Sequence, residues 1–152
     1  MTVHIRPVVH EDRDRLLAFY RSLSPESLHA RFFEACSPDA ALASSPVDVD
    51  RRNIVDVVAE LGEQIVGVAH YFRFRNSAEI AFAVRDDLQG RGIGTHLLEA
   101  LVASARTNRV ENFVAEVLPQ NRAMMDVFHG FSREVTSTTA GGIVHVSFPV
   151  PN

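Results

Sequence analysis

The part of this chain best suited to holding a ligand is the glycine-rich run at residues 89–94, Gln-Gly-Arg-Gly-Ile-Gly. It lies between a strand-like segment that ends at Val84 and an apolar repeat of helical spacing that begins at Ile93. The first N–H groups of a helix lack internal partners and lie at the positive end of its dipole. Glycines let phosphate oxygens approach that backbone closely, so the run predicts an anion-binding cradle with Arg91 adding charge at its rim.

Two common nucleotide-binding motifs do not fit this run. A P-loop needs Gly-x-x-x-x-Gly-Lys-Ser/Thr, and the cradle contains no lysine. A dinucleotide fingerprint needs Gly-x-Gly-x-x-Gly, and counting from Gly90 places Thr95 where the third glycine should stand. The following strand also lacks an acidic residue at the distance that a ribose anchor requires. Both motifs are therefore excluded.

A carboxylate that could accept a proton stands on the strand before the cradle. Glu79 shares its side of the predicted strand 78–84 with two small residues, Ala81 and Ala83, which leave room for a substrate. An amine of pKa about 10.4 must lose a proton before it can act as a nucleophile, so a general base there would be useful. A strand-end carboxylate that simply faces water is the alternative interpretation, and the residues alone leave it open.

The elements that would position these groups can be read from turn and cap signals. Ser24, Pro25 and Glu26 predict a second helix start directly after the first helix. Glycines at 62 and at 141–142 fit hairpin turns. In chain order, the predicted elements are a strand at 3–6, helices at 12–22 and 25–33, a loop at 34–50 with room for a short helix at 38–43, strands at 53–61, 64–74 and 78–84, a helix at 93–105, a strand at 113–118, a helix at 121–128 closed by Gly130, and strands at 131–138 and 143–148.

This order, β-α-α-β-β-β-α-β-α-β-β, predicts one α/β domain that spans residues 1–152. A strand-helix-strand unit in its middle requires a parallel pair between segments 78–84 and 113–118, whereas the hairpins supply antiparallel pairs. The expected sheet is therefore mixed and mostly antiparallel, with helices on both faces.

The composition excludes several other classes of protein. The 152 residues are 46% apolar and 22% charged, with a formal charge of −4, as in an ordinary globular domain. Basic residues form no stripe, so no nucleic-acid partner is expected. No apolar run approaches the ~20 residues of a membrane helix, and no apolar signal region opens the sequence, so we expect no membrane contact and a cytoplasmic location. The single cysteine fits a reducing compartment, and the seven histidines show no metal-ligand spacing.

The cradle resembles the coenzyme A site of the Gcn5-related N-acetyltransferase (GNAT) superfamily. The family pattern Gln/Arg-x-x-Gly-x-Gly/Ala is matched by Gln89, Gly92 and Gly94. Phe-Ala-Val at 82–84 precedes the pattern and Val-Leu-Pro-Gln-Asn at 117–121 follows it, at the family's spacing. The resemblance covers the element order of the whole chain and implies the GNAT fold, in which two central parallel strands splay and the thioester lies in the gap.

The resemblance implies acetyl-CoA as the acyl donor and no metal. In the family, the glycine-rich run binds the pyrophosphate, the preceding strand offers backbone groups to the pantetheine arm, and an asparagine after the second strand lies beside that arm. The cofactor-binding residues that it implies are Phe82, Ala83, Val84, Gln89, Gly90, Arg91, Gly92, Ile93, Gly94, Thr95 and Asn121. A backbone N–H near Val84 is expected to stabilise the oxyanion of the tetrahedral intermediate.

The resemblance also assigns the proton transfers. In Gcn5-like and Pat-like enzymes a glutamate at the Ala-Glu-Ile position is the base, which implies that Glu79 is catalytic. Glu116 is the second choice, because it lies five residues before Asn121, where the branch that acetylates N-terminal amines keeps its glutamate. Many relatives protonate the leaving thiolate with a tyrosine seven residues after the asparagine, and here that position is Phe128. Either water is then the acid or the activity is reduced.

A narrower resemblance concerns the acceptor. Segments 5–7, 23–33 and 78–82 are similar to the bacterial Pat-type protein lysine acetyltransferases, which acetylate the active-site lysine of acyl-CoA synthetases. This implies N-acetyltransfer to a protein lysine by direct attack within a ternary complex. A small-molecule amine acetyltransferase and a non-catalytic acyl-CoA-sensing module are the alternatives. The C-terminal hairpin offers a contact surface for a homodimer.

Overall fold

The computed structural model describes residues 2–25 and 53–151, which form a seven-stranded sheet flanked by three α-helices. The strands are β1 (His4–Pro7), β2 (Ile54–Leu61), β3 (Gln64–Phe74), β4 (Ser77–Val84), β5 (Asn112–Val117), β6 (Thr136–Ala140) and β7 (Ile143–Pro149). The helices are α1 (Arg13–Ser22), α2 (Ile93–Thr107) and α3 (Arg122–Phe131), with short 3-10 turns at His10–Asp12 and Asp86–Leu88. The predicted second helix beyond Pro25 and the predicted loop at 34–50 lie outside the described residues.

The sheet has the strand order β1-β2-β3-β4-β5-β7-β6. All neighbouring strands are antiparallel except β4 and β5, which are parallel. The predicted mixed, mostly antiparallel sheet is confirmed, and so is the position of its parallel pair. The β6–β7 turn has left-handed φ values of +62° at Gly141 and +77° at Gly142, the backbone that a type I′ hairpin turn requires.

Helices cover both faces of this sheet, as expected. On one face, Leu16 and Phe19 of α1 are buried in a cluster with Val58 and Val68 of the central strands. On the other face, α2 and α3 pack over the alternate strand residues. Burying each leucine side chain there stabilises the fold by about 1.5–3 kcal/mol. The apolar repeat predicted for α2 is the buried side of that helix, formed by Ile93, Leu97, Leu98, Leu101, Val102 and Ala105.

Two predicted boundaries near the end of the chain are wrong. The helix predicted at 121–128 continues to Phe131, so Gly130 lies inside α3 and does not close it. Phe131 packs against the core, and the Ser132 N–H donates to the Phe128 carbonyl at 3.1 Å, so burial and hydrogen bonding carry the helix past the glycine. The following strand therefore begins at Thr136 and not at the predicted residue 131.

A partly buried ion pair fixes β1 to the start of α1. The Arg6 guanidinium donates to both carboxylate oxygens of Asp12, at 2.8 and 2.7 Å, and to Glu60 of β2 at 3.0 Å. Asp12 is 1% exposed and its Oδ2 also accepts from the Val9 backbone N–H at 2.8 Å. These hydrogen bonds, from Arg6 above all, hold the pKa of the Asp12 carboxyl below its usual range. The pair therefore stays ionised at neutral pH.

Replacing Asp12 with alanine is expected to lower the free energy of unfolding by about 2–4 kcal/mol, because Arg6 loses its bidentate partner in a partly buried site. Since the pKa of Asp12 is lower in the folded than in the unfolded chain, its stabilisation is complete above about pH 4 and is lost as the pH falls through the folded-state value. Urea unfolding of the wild type and of Asp12→Ala between about pH 7 and about pH 3 measures this. The stability difference between the two is expected to shrink towards the acid end, and a constant difference would contradict the assignment.

Candidate active site

The two central strands diverge soon after they begin. β4 and β5 are in parallel register from Ser77 opposite Asn112 to Glu79 opposite Val114, and their pairing ends there. Beyond that point β4 stays paired with β3, and β5 stays paired with β7. The sheet therefore opens into a V, with Glu79 at its closed end, which agrees with the splay that the GNAT resemblance implies.

The glycine-rich turn follows β4 at the open end of this V. Gly90 and Gly92 have φ angles of +78° and +86°, in the left-handed region that favours glycine. Gly92 immediately precedes α2, and no side chain of the described residues caps that helix start. The uncapped N–H groups and the positive end of the helix dipole make this turn suited to binding an anion.

Gly94 has a packing role as well. A Cβ added at Gly94 would approach the Phe82 ring to 3.3 Å and Val127 of α3 to 3.7 Å. The first contact is closer than ordinary van der Waals packing, so the missing side chain lets the start of α2 lie directly against β4. The third glycine of the motif therefore sets the position of the helix from which the cradle is built.

A groove of about 670 Å³ lies between the turn, the open half of β4 and the start of α3. Ten of the eleven predicted cofactor-binding residues line it: Phe82, Ala83, Val84, Gln89, Gly90, Gly92, Ile93, Gly94, Thr95 and Asn121. The eleventh, Arg91, is exposed on the turn and is not part of the lining. Residues that the sequence did not indicate also contribute: Ser24, Asp86, Leu88, Leu118, Gln120, Ala123, Met124, Asp126 and Val127.

Hydrogen bonds fix two of the predicted residues within this groove. The Gln89 side-chain Nε2 donates to the Val84 carbonyl at 3.1 Å, which ties the turn to the end of β4. The Asn121 Oδ1 accepts from the Met124 N–H at 3.3 Å and so caps the start of α3. Each residue type therefore has a structural reason to be present, independent of any ligand.

Ser24 reaches the groove through a contact that the sequence did not reveal. Its backbone N–H and its hydroxyl both donate to the Asp86 carboxylate, at 3.1 and 2.7 Å. This contact joins the chain just after α1 to the loop between β4 and α2, two segments 62 residues apart in sequence. No local motif signals such a contact, because it depends only on how α1 lies on the sheet.

The two candidate bases line a second cavity, on the sheet face opposite α2 and α3. This cavity has a volume of about 310 Å³ and is bordered by Glu79, Glu116 and residues of the β6–β7 hairpin. Both glutamates are exposed, and the Glu79 carboxylate makes no hydrogen bond or ion pair with another described residue. The structure thus brings together the two carboxylates between which the sequence left the choice open.

Tyrosine hydroxyls do not reach either cavity. Phe128, at the position of the family's tyrosine, is buried between Phe82 and Phe148, with ring centroids 5.9 and 5.3 Å away. Tyr20 is buried in the α1 cluster, and Tyr71 is buried on the other face, where its hydroxyl accepts from the Asn108 side chain at 2.7 Å. Burial raises the pKa of Tyr71, which suits a core residue.

Two negative findings concern the described residues only. None of their His, Cys, Asp and Glu side chains form a group of three that could hold a metal ion. None of their helices has the length and apolar character needed to cross a bilayer.

The splayed parallel pair, the glycine-rich turn and the uncapped helix define an acetyltransferase of the GNAT type. The model of the acetyltransferase (GNAT) family matches residues 13–131. The chain belongs to this family.

Three known proteins are similar to this chain in sequence or in structure. The acetyltransferase Pat of Mycolicibacterium smegmatis is 38% identical over 129 residues, which are 82% of this chain and 39% of that protein, so this chain spans about two fifths of its length. The GNAT domain of S. lividans PAT superposes with a TM-score of 0.88 at 32% identity, over 98% of this chain and 91% of that one. The fold is also shared with yncA from Salmonella typhimurium, solved with its cofactor acetyl-CoA, at a TM-score of 0.76 and 22% identity over 99% and 95% of the two chains.

A matched pair of glycine variants tests the cradle. Gly92→Ala and Gly62→Ala both place a Cβ at a left-handed φ, of +86° and +62°, with nothing within 4 Å of the added atom. Each is expected to cost about 1 kcal/mol of stability through backbone strain. Only Gly92→Ala is expected to weaken acetyl-CoA binding, by about tenfold, since Gly62 lies in the β2–β3 turn. Titration calorimetry measures this, and equal affinities for the two variants would argue against binding at the helix start.

Proposed function

We propose that this chain transfers the acetyl group of acetyl-CoA to the side-chain amine of a protein lysine, with Glu79 as the general base. The observation that carries the proposal is the end of the β4–β5 pairing at Glu79 and Val114. Beyond that point a gap opens between β4 and β5. The groove lies on one side of this gap and the second cavity lies on the other. A thioester in the gap would meet an amine from the opposite face.

The groove supports the donor half of this proposal. A pyrophosphate would bind at the uncapped start of α2, where Gly90 and Gly92 let its oxygens approach the backbone. The pantetheine arm is an extended chain with amide groups, and it would run along the open edge of β4 at residues 82–84. That edge has lost its strand partner, so its backbone groups need another hydrogen-bonding partner. The acetyl-CoA bound to yncA, a protein of the same fold, supports this choice of donor.

Glu79 supports the acceptor half. The acceptor ammonium must lose a proton before its nitrogen can attack the thioester carbonyl carbon. Glu79 is exposed at the closed end of the V, where no described residue competes for its carboxylate. It would take that proton through intervening water, because Val84 lies five residues further along β4, about 17 Å at the usual strand rise. The nitrogen would form the new C–N bond, and a backbone N–H near Val84 would stabilise the oxyanion.

The leaving group would receive its proton from water. The C–S bond breaks as the tetrahedral intermediate collapses, and the thiolate needs a proton only after it has left. Phe128 supplies no hydroxyl for this step, and both tyrosines are buried away from the groove. Water is therefore the proposed acid, since no tyrosine is among the described residues that line the groove.

The choice of a lysine acceptor rests on the Pat-type resemblance and on the identity with the acetyltransferase Pat of M. smegmatis. A small-molecule amine would need the same base and the same donor groove, so the geometry of the described residues does not separate the two acceptors. A sensing module would bind acetyl-CoA but transfer nothing, and the exposed carboxylate in the V argues against it.

Glu79→Gln is expected to lower the turnover number by about a hundredfold or more, because the amide cannot accept the proton, while acetyl-CoA affinity stays within about twofold. Thiol release from acetyl-CoA in the presence of an acyl-CoA synthetase measures the turnover. The chain contains 15 arginines and no lysine, so acetyl-lysine detected on a blot comes from the acceptor alone.

Glu63→Gln is the matched control, because Glu63 is an exposed glutamate in the β2–β3 turn outside both cavities. It is expected to leave turnover unchanged. Full activity of Glu79→Gln would remove Glu79 as the base. Tight acetyl-CoA binding without turnover on the synthetase or on a panel of small amines would favour the sensing module.

A further inference from the structure

The second cavity contains more than the carboxylate of Glu79. On the face of the sheet away from α2 and α3, Glu79 lies level with Val114 of β5, and Glu116 lies two residues further along that strand. A two-residue step along a strand is about 7 Å. The cavity of about 310 Å³ therefore extends from one carboxylate to the other along the widening gap.

The carboxylate of Glu116 has a cross-strand partner. Glu116 on β5 lies directly opposite His145 on β7, and the His145 Nδ1 is 3.9 Å from the Glu116 Oε1. The two side chains are 44% and 43% exposed, so both remain accessible from the cavity. In contrast, the Glu79 carboxylate has no basic side chain of a described residue within ion-pair distance. The two glutamates are thus in different environments, which suits them to different tasks.

The remaining lining combines apolar side chains, Val114, Ala115 and Val146, with hydroxyl groups. Thr136 and Thr138 of β6 and Ser147 of β7 contribute hydroxyl groups to the wall that the C-terminal hairpin forms. No arginine is among the described residues that line the cavity, and the chain has no lysine. Among the described lining residues, two carboxylates stand beside one histidine, so the cavity is suited to attract a cation before any specific contact forms.

We propose that this cavity is the subsite for the acceptor's ammonium group and that Glu116 binds that ammonium, with His145 as the positioning residue that holds the Glu116 carboxylate in place. The proposal rests on the function proposed above. Glu79 takes the proton, whereas Glu116 provides affinity and selectivity for a cationic amine. The acceptor would therefore be recognised as an ammonium ion and not as a neutral amine.

Steady-state kinetics separate these two roles. With a synthetic peptide that contains one lysine as acceptor, Glu116→Gln is expected to raise the KM for the peptide about tenfold or more, because a charge-assisted hydrogen bond is lost. The turnover number and the KM for acetyl-CoA are expected to stay within about twofold. His145→Gln is expected to raise the peptide KM by about threefold, and Glu116→Asp is expected to restore part of the affinity.

Glu111→Gln is the control on the same side of the fold. Glu111 is exposed, directly precedes β5 and is not part of either cavity lining, so its variant is expected to behave as the wild type. A peptide with norleucine in place of lysine provides a second control. It is expected to inhibit the wild type only weakly and to be insensitive to Glu116→Gln, since it carries no charge at that position.

The possible results test ammonium binding by Glu116 separately from proton transfer by Glu79. A peptide KM within twofold of wild type in Glu116→Gln overturns the subsite. A large loss of turnover with an unchanged KM also overturns it, and would make Glu116 the base. If instead Glu79→Gln keeps its turnover while Glu116→Gln raises the KM, the subsite stands and the assignment of Glu79 fails. Thermal unfolding of each variant confirms that the exposed substitutions leave the fold intact.

Discussion

The site depends on one break in the sheet, the end of the β4–β5 pairing after Glu79 and Val114. Each strand tolerates the break because it keeps a full antiparallel partner on its other side, β3 for β4 and β7 for β5. The facing edges of the gap then carry backbone N–H and C=O groups that the sheet itself does not use. Such groups need water or a ligand as partner, so the interruption creates a binding edge inside an otherwise continuous sheet.

The glycines of the turn connect this break to the helix beside it. Gly92 allows the chain to reverse at a left-handed φ, and Gly94 allows α2 to lie against Phe82 of β4. Gly67 of β3 has the same effect further along the helix, where an added Cβ would come within 3.1 Å of Leu97. The buried side of α2 fixes the helix, and these close approaches fix where its positive end lies relative to the gap.

The sheet separates two environments that a transfer reaction has to bring together. The groove on the α2 side is formed largely by backbone and apolar groups, which suits a long ligand held by its phosphates and amides. The cavity on the other face contains two carboxylates and several hydroxyl groups among apolar side chains, which suits a cationic amine on an aliphatic chain. The V connects them at Glu79. The packing of Phe128 against Phe82 closes the α3 side of the core and explains why an aromatic side chain without a hydroxyl is stable at that position.

Over the described residues, the sequence alone determined the order of the elements, the parallel pair and ten of the residues that line the groove, because helix periodicity, turn glycines and the Gln-x-x-Gly-x-Gly pattern are local signals. It misplaced the end of α3, since the packing of the partly buried Phe131 against the core outweighs the helix-ending tendency of Gly130. It also missed the Ser24–Asp86 contact and the Glu116–His145 pair. Only the tertiary structure decided these, because strand register and the placement of α1 on the sheet bring together residues that no short-range pattern relates.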